Sequence, residues 1–564
     1  MRTRFYLSLY LLIAGIYLLS ASGRIGRMSD STAMFHVAES MINHGSLSSE
    51  PCDPRYDDAA IGPLCVPGRD GRFYAAYGLV PSLLVVPAIL FGKLVSTVLH
   101  LDPQLIVKAS VSFFTLLIAP LNCVILAMWI VQLGYSRRTA VFGACLLAFG
   151  SPFWQNSVSG FLSEPYFTLG LVLAAYLLSD HRVRYASVLS GFAFGLACGA
   201  RVAGVIMFPI FILALALQVR IRRLPRAQFF RDTLLFTAPF AACMALMAWT
   251  NYSRFGSVFK TGYHIAFPTM SFTFSNPLFQ GLRELLFHGE VGLLIFAPWV
   301  VLVLLCFPEF MRSHLPEAIV CGSMFVLNLL FYAKYQQWHG GWAGGPRYLL
   351  PALPFLIIVI VPTIGVIQKR ISRKNPVWVL LRSSVVLLLA SGFLIQAITV
   401  VYPRDRYYAL FMFYKDRQHK PWWYGCIPFA ALDYWSQTSI PKTEARTPVA
   451  KEKIPLSLAV SDSQRTDSLQ WPYGFADAVA TENDFINMFQ HPENLELPEL
   501  MVLKSHLMGL PERAIRAYVI AVFMMILIGG LGLMREMESP PLQSSAGIGN
   551  AISARSATAV PGRS

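Results

Sequence analysis

The chain has 564 residues, 55% of them hydrophobic and only 14% charged, with a mean hydropathy of +0.52. A soluble protein carries roughly a quarter charged residues, so a water-soluble globular enzyme is excluded. The net charge of +15 sits in short loops, at Arg137-Arg138, Arg182 with Arg184, Arg220 to Arg231 and Lys369 to Lys374. That distribution marks cytoplasmic loops, and with no contiguous basic face elsewhere nucleic-acid binding is excluded as well.

Apolar runs near the roughly 20 residues that span a bilayer occur around 5–22, 78–99, 105–133, 139–158, 164–179, 185–200, 203–219, 233–251, 291–307, 317–334, 347–366, 379–401 and 514–534. The chain is therefore an all-α polytopic membrane protein. The first run follows Arg2 and Arg4 and lacks a small-residue cleavage site, so it reads as a retained helix. With every basic loop placed inside, 159–165, 252–290, 335–346 and 402–513 fall outside. The N-terminus then lands on the wrong side unless one early run fails to cross. The run 78–99, with Gly78, Pro81, Pro87 and Gly92, is the first candidate, because proline removes backbone donors; loss of a true span elsewhere is the competing explanation. Twelve spans with both termini cytoplasmic result. The first extracytoplasmic loop is then 23–104, 402–513 is an extracytoplasmic region, 514–534 is the final span, and 535–564 is a Ser-, Ala- and Gly-rich disordered tail. Cys52 and Cys65 share the first loop, either as a disulfide or as two free thiols.

Asp30 follows the first helix. Met34, Val37, Met41 and Ile42 recur at helical spacing, which predicts an amphipathic interfacial helix over 31–43. Asp30 stands at its N-cap position, where it caps the helix, serves as a general base at the membrane surface, or does both. Tyr74 and Tyr77 precede the 78–99 run, as interfacial anchors or beside a headgroup. Glu164 opens a span after Phe161-Leu-Ser, solvated at the helix end, orienting an acceptor or holding a cation. Arg201, in Gly199-Ala-Arg-Val-Ala-Gly204, sits where two short runs meet in a turn, and charges at such depth tend to be functional. The densest segment is Tyr335-Gln-Gln-Trp-His-Gly-Gly-Trp-Ala-Gly-Gly-Pro-Arg-Tyr-Leu-Leu-Pro-Ala-Leu-Pro354. Arg347 can bind phosphate through its planar fork, and Lys334 adds a point charge. His339 is a further donor, Trp338 can stack on a sugar, and the glycines permit close backbone approach. No metal-ligand spacing occurs.

These residues resemble a known family. An Asp after the first membrane helix, the run Tyr74-Ala-Ala-Tyr-Gly-Leu-Val-Pro-Ser-Leu-Leu84, the corner Ser163-Glu-Pro165, the turn Gly199-Ala-Arg201 and the block Gly345-Pro-Arg-Tyr-Leu-Leu-Pro351 together look like bacterial integral-membrane glycosyltransferases of the GT-C superfamily, such as protein O-mannosyltransferases and the lipid A aminoarabinose transferase. The resemblance covers roughly residues 1–400. It implies a GT-C-like bundle of about 12 transmembrane helices, with interfacial helices in the first loop and a catalytic domain over 1–401. It also implies transfer of a sugar from a polyprenyl-phosphate donor to a glycan, lipid or protein acceptor on the outer face of the inner membrane. The family's catalytic base corresponds to Asp30. Its second outer acid, usually Asp, is Glu164 here. Arg72, Tyr74 and Tyr77 stand where the family often has paired acids or an acid and a lysine. No cofactor is expected, the lipid-linked sugar being a substrate, although a divalent metal occurs in some relatives.

The chemistry agrees. A departing phosphate gains negative charge that fixed cations stabilise, and Arg347, Arg201, Lys334 and His339 are the available donors. One carboxylate suffices to take the acceptor proton, which predicts inversion with Asp30 as base. The alternatives are a transporter or flippase of lipid-linked glycans, a non-catalytic envelope-assembly subunit, and a ligase for lipid-linked glycans.

Overall fold

In the computed structural model the described residues are 2–402 and 500–538, with breaks of which the longest are 50–64, 180–184, 267–273, 341–344, 371–375 and 505–510. The expected 402–513 region and the tail after 538 lie almost wholly outside them. In chain order the elements are α1 (Arg2–Leu19), α2 (Ser29–His44), β1 (Cys65–Pro67), β2 (Phe73–Ala75), α3 (Leu79–Leu99), α4 (Pro103–Gln132), α5 (Arg137–Phe149), α6 (Phe153–Val158), α7 (Glu164–Ser179), α8 (Ala186–Ala200), α9 (Phe208–Ile221), α10 (Arg226–Phe255), α11 (Gly262–Ala266), α12 (Leu278–Phe287), α13 (Leu293–Phe296), α14 (Val303–Ser313), α15 (Leu315–Lys334), α16 (Leu353–Arg370), α17 (Pro376–Val401), α18 (Met501–Lys504) and α19 (Glu512–Glu538). β1 and β2 form an antiparallel ribbon with Val66 opposite Tyr74. Eight helices among the described residues are long and apolar enough to cross a membrane, and three shorter apolar helices accompany them.

The first and last helices pack antiparallel. The Tyr518 hydroxyl donates to the Leu18 carbonyl at 2.6 Å, and at the opposite end Arg137 pairs with Glu536 at 3.3 Å and lies over the Phe5 ring. Glycine makes the approach possible: a Cβ at Gly529 would come within 2.5 Å of the Leu12 nitrogen, the small-residue contact that membrane helices use in place of hydrophobic force. The start of α1, the end of α19 and Arg137 therefore share one end of the bundle. The other end is marked by Ser22 N donating to the Val158 carbonyl and Phe161 N donating to that of Ile25.

Several apolar runs are broken where proline stands. The 139–158 run divides into α5 and α6 around Pro152, and 291–307 divides into α13, a 3-10 turn over Pro298–Leu302, and the start of α14. The run 78–99 behaves in the opposite way, since α3 stays unbroken through Pro87 and is long and apolar enough to cross. Both its ends nevertheless belong to the end opposite Arg137. Gly78 abuts the carbonyls of Gly199 and Ala200. At the other end the chain turns through His100, in the left-handed region at φ 51°, into α4. Phe113, early in α4, stacks on Tyr518, whereas the far end of α4 leads back to Arg137. α2 runs beside α3: Ser82 Oγ donates to the Met34 carbonyl at 2.8 Å, and Lys93 Nζ to Asn43 Oδ1 at 2.6 Å.

A Cβ at Gly78 would lie 2.4 Å from both of those carbonyl oxygens, which are backbone and cannot swing away. Gly78→Ala is expected to destabilise by about 1–3 kcal/mol through overpacking, read as a lower thermal midpoint in detergent; an unchanged midpoint would mean that α3 is loosely seated. Cys65 is disulfide-bonded, whereas Cys52 lies outside the described residues. Cys123, Cys145, Cys198, Cys243, Cys306 and Cys321 are free.

Candidate active site

Four charged side chains from four separate chain segments meet at the end of the bundle opposite Arg137. Asp30 stands in the first turn of α2, where the helix dipole favours a carboxylate, and Ser31 N donates to its Oδ1 at 3.0 Å. The helix begins at Ser29, two residues before the expected start, so Asp30 lies within it rather than capping it. Glu164 is the first residue of α7 and is wholly buried. Arg201 ends α8, and Arg347 opens a 3-10 turn over Arg347–Ala352.

The two guanidinium groups converge on Glu164. Arg347 grips it with both arms of its fork, Nε to Oε1 at 2.5 Å and Nη2 to Oε2 at 3.3 Å, and Arg201 Nη1 reaches the same Oε1 at 2.5 Å. Arg347 Nη2 also donates to Asp30 Oδ2, and its Nη1 donates to the Gly340 carbonyl at 3.4 Å. Gly340 has φ +73°, the left-handed conformation for which glycine is suited; a Cβ there would come 3.3 Å from that of Arg347. The two carboxylates neutralise the two cations, as burial demands, because an unpaired buried charge costs several kcal/mol.

Tyrosines wall the cluster. Tyr332 and Tyr348 stack at 4.4 Å and 9°, and the Arg201 guanidinium lies 4.9 Å from the Tyr348 ring and 5.9 Å from Tyr332. Asn328 Nδ2 holds the Tyr348 carbonyl at 3.3 Å. Tyr263 of α11 meets Tyr77 edge-to-face at 5.9 Å and shares the electrostatic environment of Arg201 and Asp30. Stacking on a planar guanidinium, a use of arginine that lysine cannot match, fixes the orientation of Arg201.

Asp30, Glu164, Arg201 and Arg347 thus come together, with Tyr77 one ring away. Other candidates lie elsewhere. Tyr74 faces away: its hydroxyl donates to Asp70 Oδ2 at 2.7 Å and its ring packs on Phe255. Burial and the bond to Asp70 push its phenol up to about 12, and that same bond holds the Asp70 carboxyl low. Trp338 sits edge-on to His288. Lys334 closes α15 half-buried, and among the described residues no ion pair joins it to the cluster. His339 lies outside the described residues. Tyr263, Tyr332 and Tyr348 are the site residues that pattern alone did not single out; the adjacency of Tyr348 to Arg347 was the one available signal. Among the described residues no three His, Cys, Asp or Glu gather as metal ligands, and both carboxylates of the site are turned to guanidinium groups.

Glu164→Gln leaves the Arg201 and Arg347 pair short of one negative charge in a buried setting. A loss of about 3–5 kcal/mol is expected, measured as a lowered unfolding midpoint; a midpoint within error of the parent would mean that water screens the cluster.

The chain matches no protein-family model and no curated protein. Among solved structures it is similar to the Archaeoglobus fulgidus oligosaccharyltransferase in complex with Zn and sulfate, at TM-score 0.47 and 15% identity, covering 74% of this chain and 56% of that one. It is also similar to ArnT from Cupriavidus metallidurans bound to undecaprenyl phosphate, at TM-score 0.43 and 13% identity, covering 93% of this chain and 76% of that one. A third similar structure is the archaeal oligosaccharyltransferase AglB from A. fulgidus in complex with an inhibitory peptide and a dolichol-phosphate, at TM-score 0.44 and 13% identity, covering 74% of this chain and 58% of that one. The chain spans little more than half the length of the oligosaccharyltransferase. These neighbours are GT-C superfamily membrane glycosyltransferases.

Proposed function

We propose that this protein is an inverting membrane glycosyltransferase. In this reading it moves a sugar from a polyprenyl-phosphate donor to an envelope acceptor at the extracytoplasmic face of the inner membrane. The observation that carries the proposal is the shared grip of Arg347 on Asp30 and Glu164. It sets one carboxylate and two fixed cations side by side at the end of an apolar bundle.

The roles follow from burial and geometry. Glu164, fully buried and bonded by both arginines, acts as a positioning residue: it holds two like charges close together where they would otherwise repel. Arg347 and Arg201 then face the donor phosphate. As the bond from the anomeric carbon to the phosphate oxygen breaks, its electron pair goes to that oxygen, and fixed guanidinium groups stabilise the charge without reorganising. The acceptor hydroxyl attacks the anomeric carbon from the opposite side. Asp30, in the first turn of α2 and bonded on one oxygen by Arg347, takes the proton. The phosphate leaving group needs no general acid, so one carboxylate is enough. Tyr332 and Tyr348 hold Arg201 flat and keep water from its back.

Purified, lipid-reconstituted protein is expected to transfer radiolabelled sugar from at least one member of a panel of polyprenyl-phosphate monosaccharides, with inverted anomeric configuration in the product. Retention of configuration would remove the single-base mechanism. Turnover with no donor, by protein shown to be folded, would favour the transport or assembly alternatives.

A further inference from the structure

A second cationic centre lies on the other side of the β2 strand. Arg254, in the last turn of α10, is 6% exposed. Its Nε donates to the Thr250 carbonyl at 3.3 Å and its Nη2 to Asn251 Oδ1 at 3.1 Å, and its guanidinium lies 4.9 Å from the Phe255 ring centre. Its Nη1 is buried with no hydrogen-bond partner among the described residues, and none of these gives it an ion pair. The carbonyls of a helix C-terminus ease such a charge, but they leave the two N–H groups of Nη1 without an acceptor among the described residues. A buried donor without an acceptor costs roughly 1–3 kcal/mol, more when charged.

The surroundings are basic. The backbone N–H of Arg69 donates to the Arg254 carbonyl at 2.9 Å, pinning the loop onto the helix end, while the exposed Arg69 guanidinium lies over the Tyr252 ring at 5.0 Å. Arg72 stands on the same loop. Among the described residues of this loop the acid is Asp70, which is bonded to Tyr74 and lies 4.0 Å from Arg72. Glycine opens the approach: a Cβ at Gly68 would meet the Tyr74 ring and come 2.9 Å from the Arg254 carbonyl. Around this end of α10, Trp249, Tyr252 and Phe259 are 62%, 50% and 86% exposed. That is the aromatic girdle of a membrane interface, which sets the centre at headgroup depth.

We propose that Arg254 and Arg69 form a second anion site, separate from the Asp30–Arg347 cluster, for a phosphate group presented at headgroup level. Arg254 supplies a preoriented pair of N–H donors from within, and Arg69 closes over the outer side. Arginine suits this use because its weakly hydrated plane is desolvated more readily than an ammonium.

The test titrates the thermal midpoint of the full chain in detergent with dihexanoyl-phosphatidylglycerol, with inorganic phosphate, and with dihexanoylglycerol, which lacks phosphate. Stabilisation by the first is expected, with apparent affinity at least tenfold weaker in Arg254→Lys and in Arg69→Ala. The second variant removes only exposed side-chain atoms and so reports even where the first fails to fold. Equal binding of inorganic phosphate would make the natural ligand a soluble phosphate; preference for the lipid would make it a headgroup. Equal stabilisation by dihexanoylglycerol, or unchanged affinity in Arg69→Ala, would overturn the site. No sugar donor is present, so the outcome is independent of whether the chain transfers a sugar.

Discussion

Replacing Arg347 with Ala is expected to lower sugar transfer by at least about 10²–10³-fold, the usual cost of removing a preorganised donor from a developing oxyanion. The true loss should be greater, because one side chain bonds Asp30, Glu164 and the Gly340 carbonyl together. Its removal leaves the buried Asp30 without a cation among the described residues and Glu164 with Arg201 alone, as well as baring the phosphate, so the Ala variant is also expected to unfold at a lower temperature. Arg347→Lys separates the two effects. The ammonium keeps the charge but cannot present two parallel donors to Glu164 while reaching Asp30. It should restore part of the stability and little of the rate. Recovery of full transfer by Lys would mean that charge alone matters and that the fork geometry has no catalytic part.

Asp30→Asn is expected to cost about 10²–10⁴-fold in turnover, the range for losing a positioned base. Asn keeps the size of the side chain and one oxygen, which can accept from Arg347 or from Ser31 N but not replace both Oδ2 and Oδ1, so the overall fold and donor binding should persist. The signature is a fall in kcat with donor KM nearly constant, on protein that remains folded with an unfolding midpoint lowered by the loss of one buried charge. The contrast with Arg347→Ala is informative, since that variant should change KM, kcat and stability together. Unchanged turnover in Asp30→Asn would refute the assigned base.

What could be read from the residues, and what could not, divides along one physical line. Local periodicity placed α2, because Met34, Val37, Met41 and Ile42 repeat at helical spacing, and the Arg201 turn was legible from two runs too short to be separate full spans. The segment around Arg347 stood out because a cation, aromatics and glycines have no common purpose in an ordinary connection. The tyrosine wall was hidden. Tyr263, Tyr332 and Tyr348 come from α11, α15 and the turn before α16, and nothing in any one segment announces a stack formed between them. Lys334 was drawn in by its proximity in the chain, and among the described residues no ion pair ties it to the cluster. Tyr74 and Tyr77 show the same limit on a smaller scale. Three residues apart where a strand ends, they serve different neighbourhoods, Tyr74 with Asp70 and Phe255, Tyr77 with Tyr263. The glycine and proline content of 78–99 also read α3 as a weakened segment, whereas Pro87 rides within a continuous helix. A helix seated against its neighbours, as α3 is at Gly78, can absorb one missing donor.

The pairing of α1 with α19 has a consequence for how the chain is made. The Tyr518 hydroxyl and the Leu18 carbonyl are 500 residues apart in the sequence, and chains emerge N-terminus first at roughly 5–20 residues per second. The face of α1 around Ser8, Leu12 and Gly15 therefore stays unclaimed for on the order of 25–100 s after it enters the membrane. Throughout that interval lipid or the insertion machinery must occupy the groove that Gly529 and Gly532 later fill. The contact of α19 with α1 can therefore form only after the chain has been extended by the 500 residues from Leu18 to Tyr518.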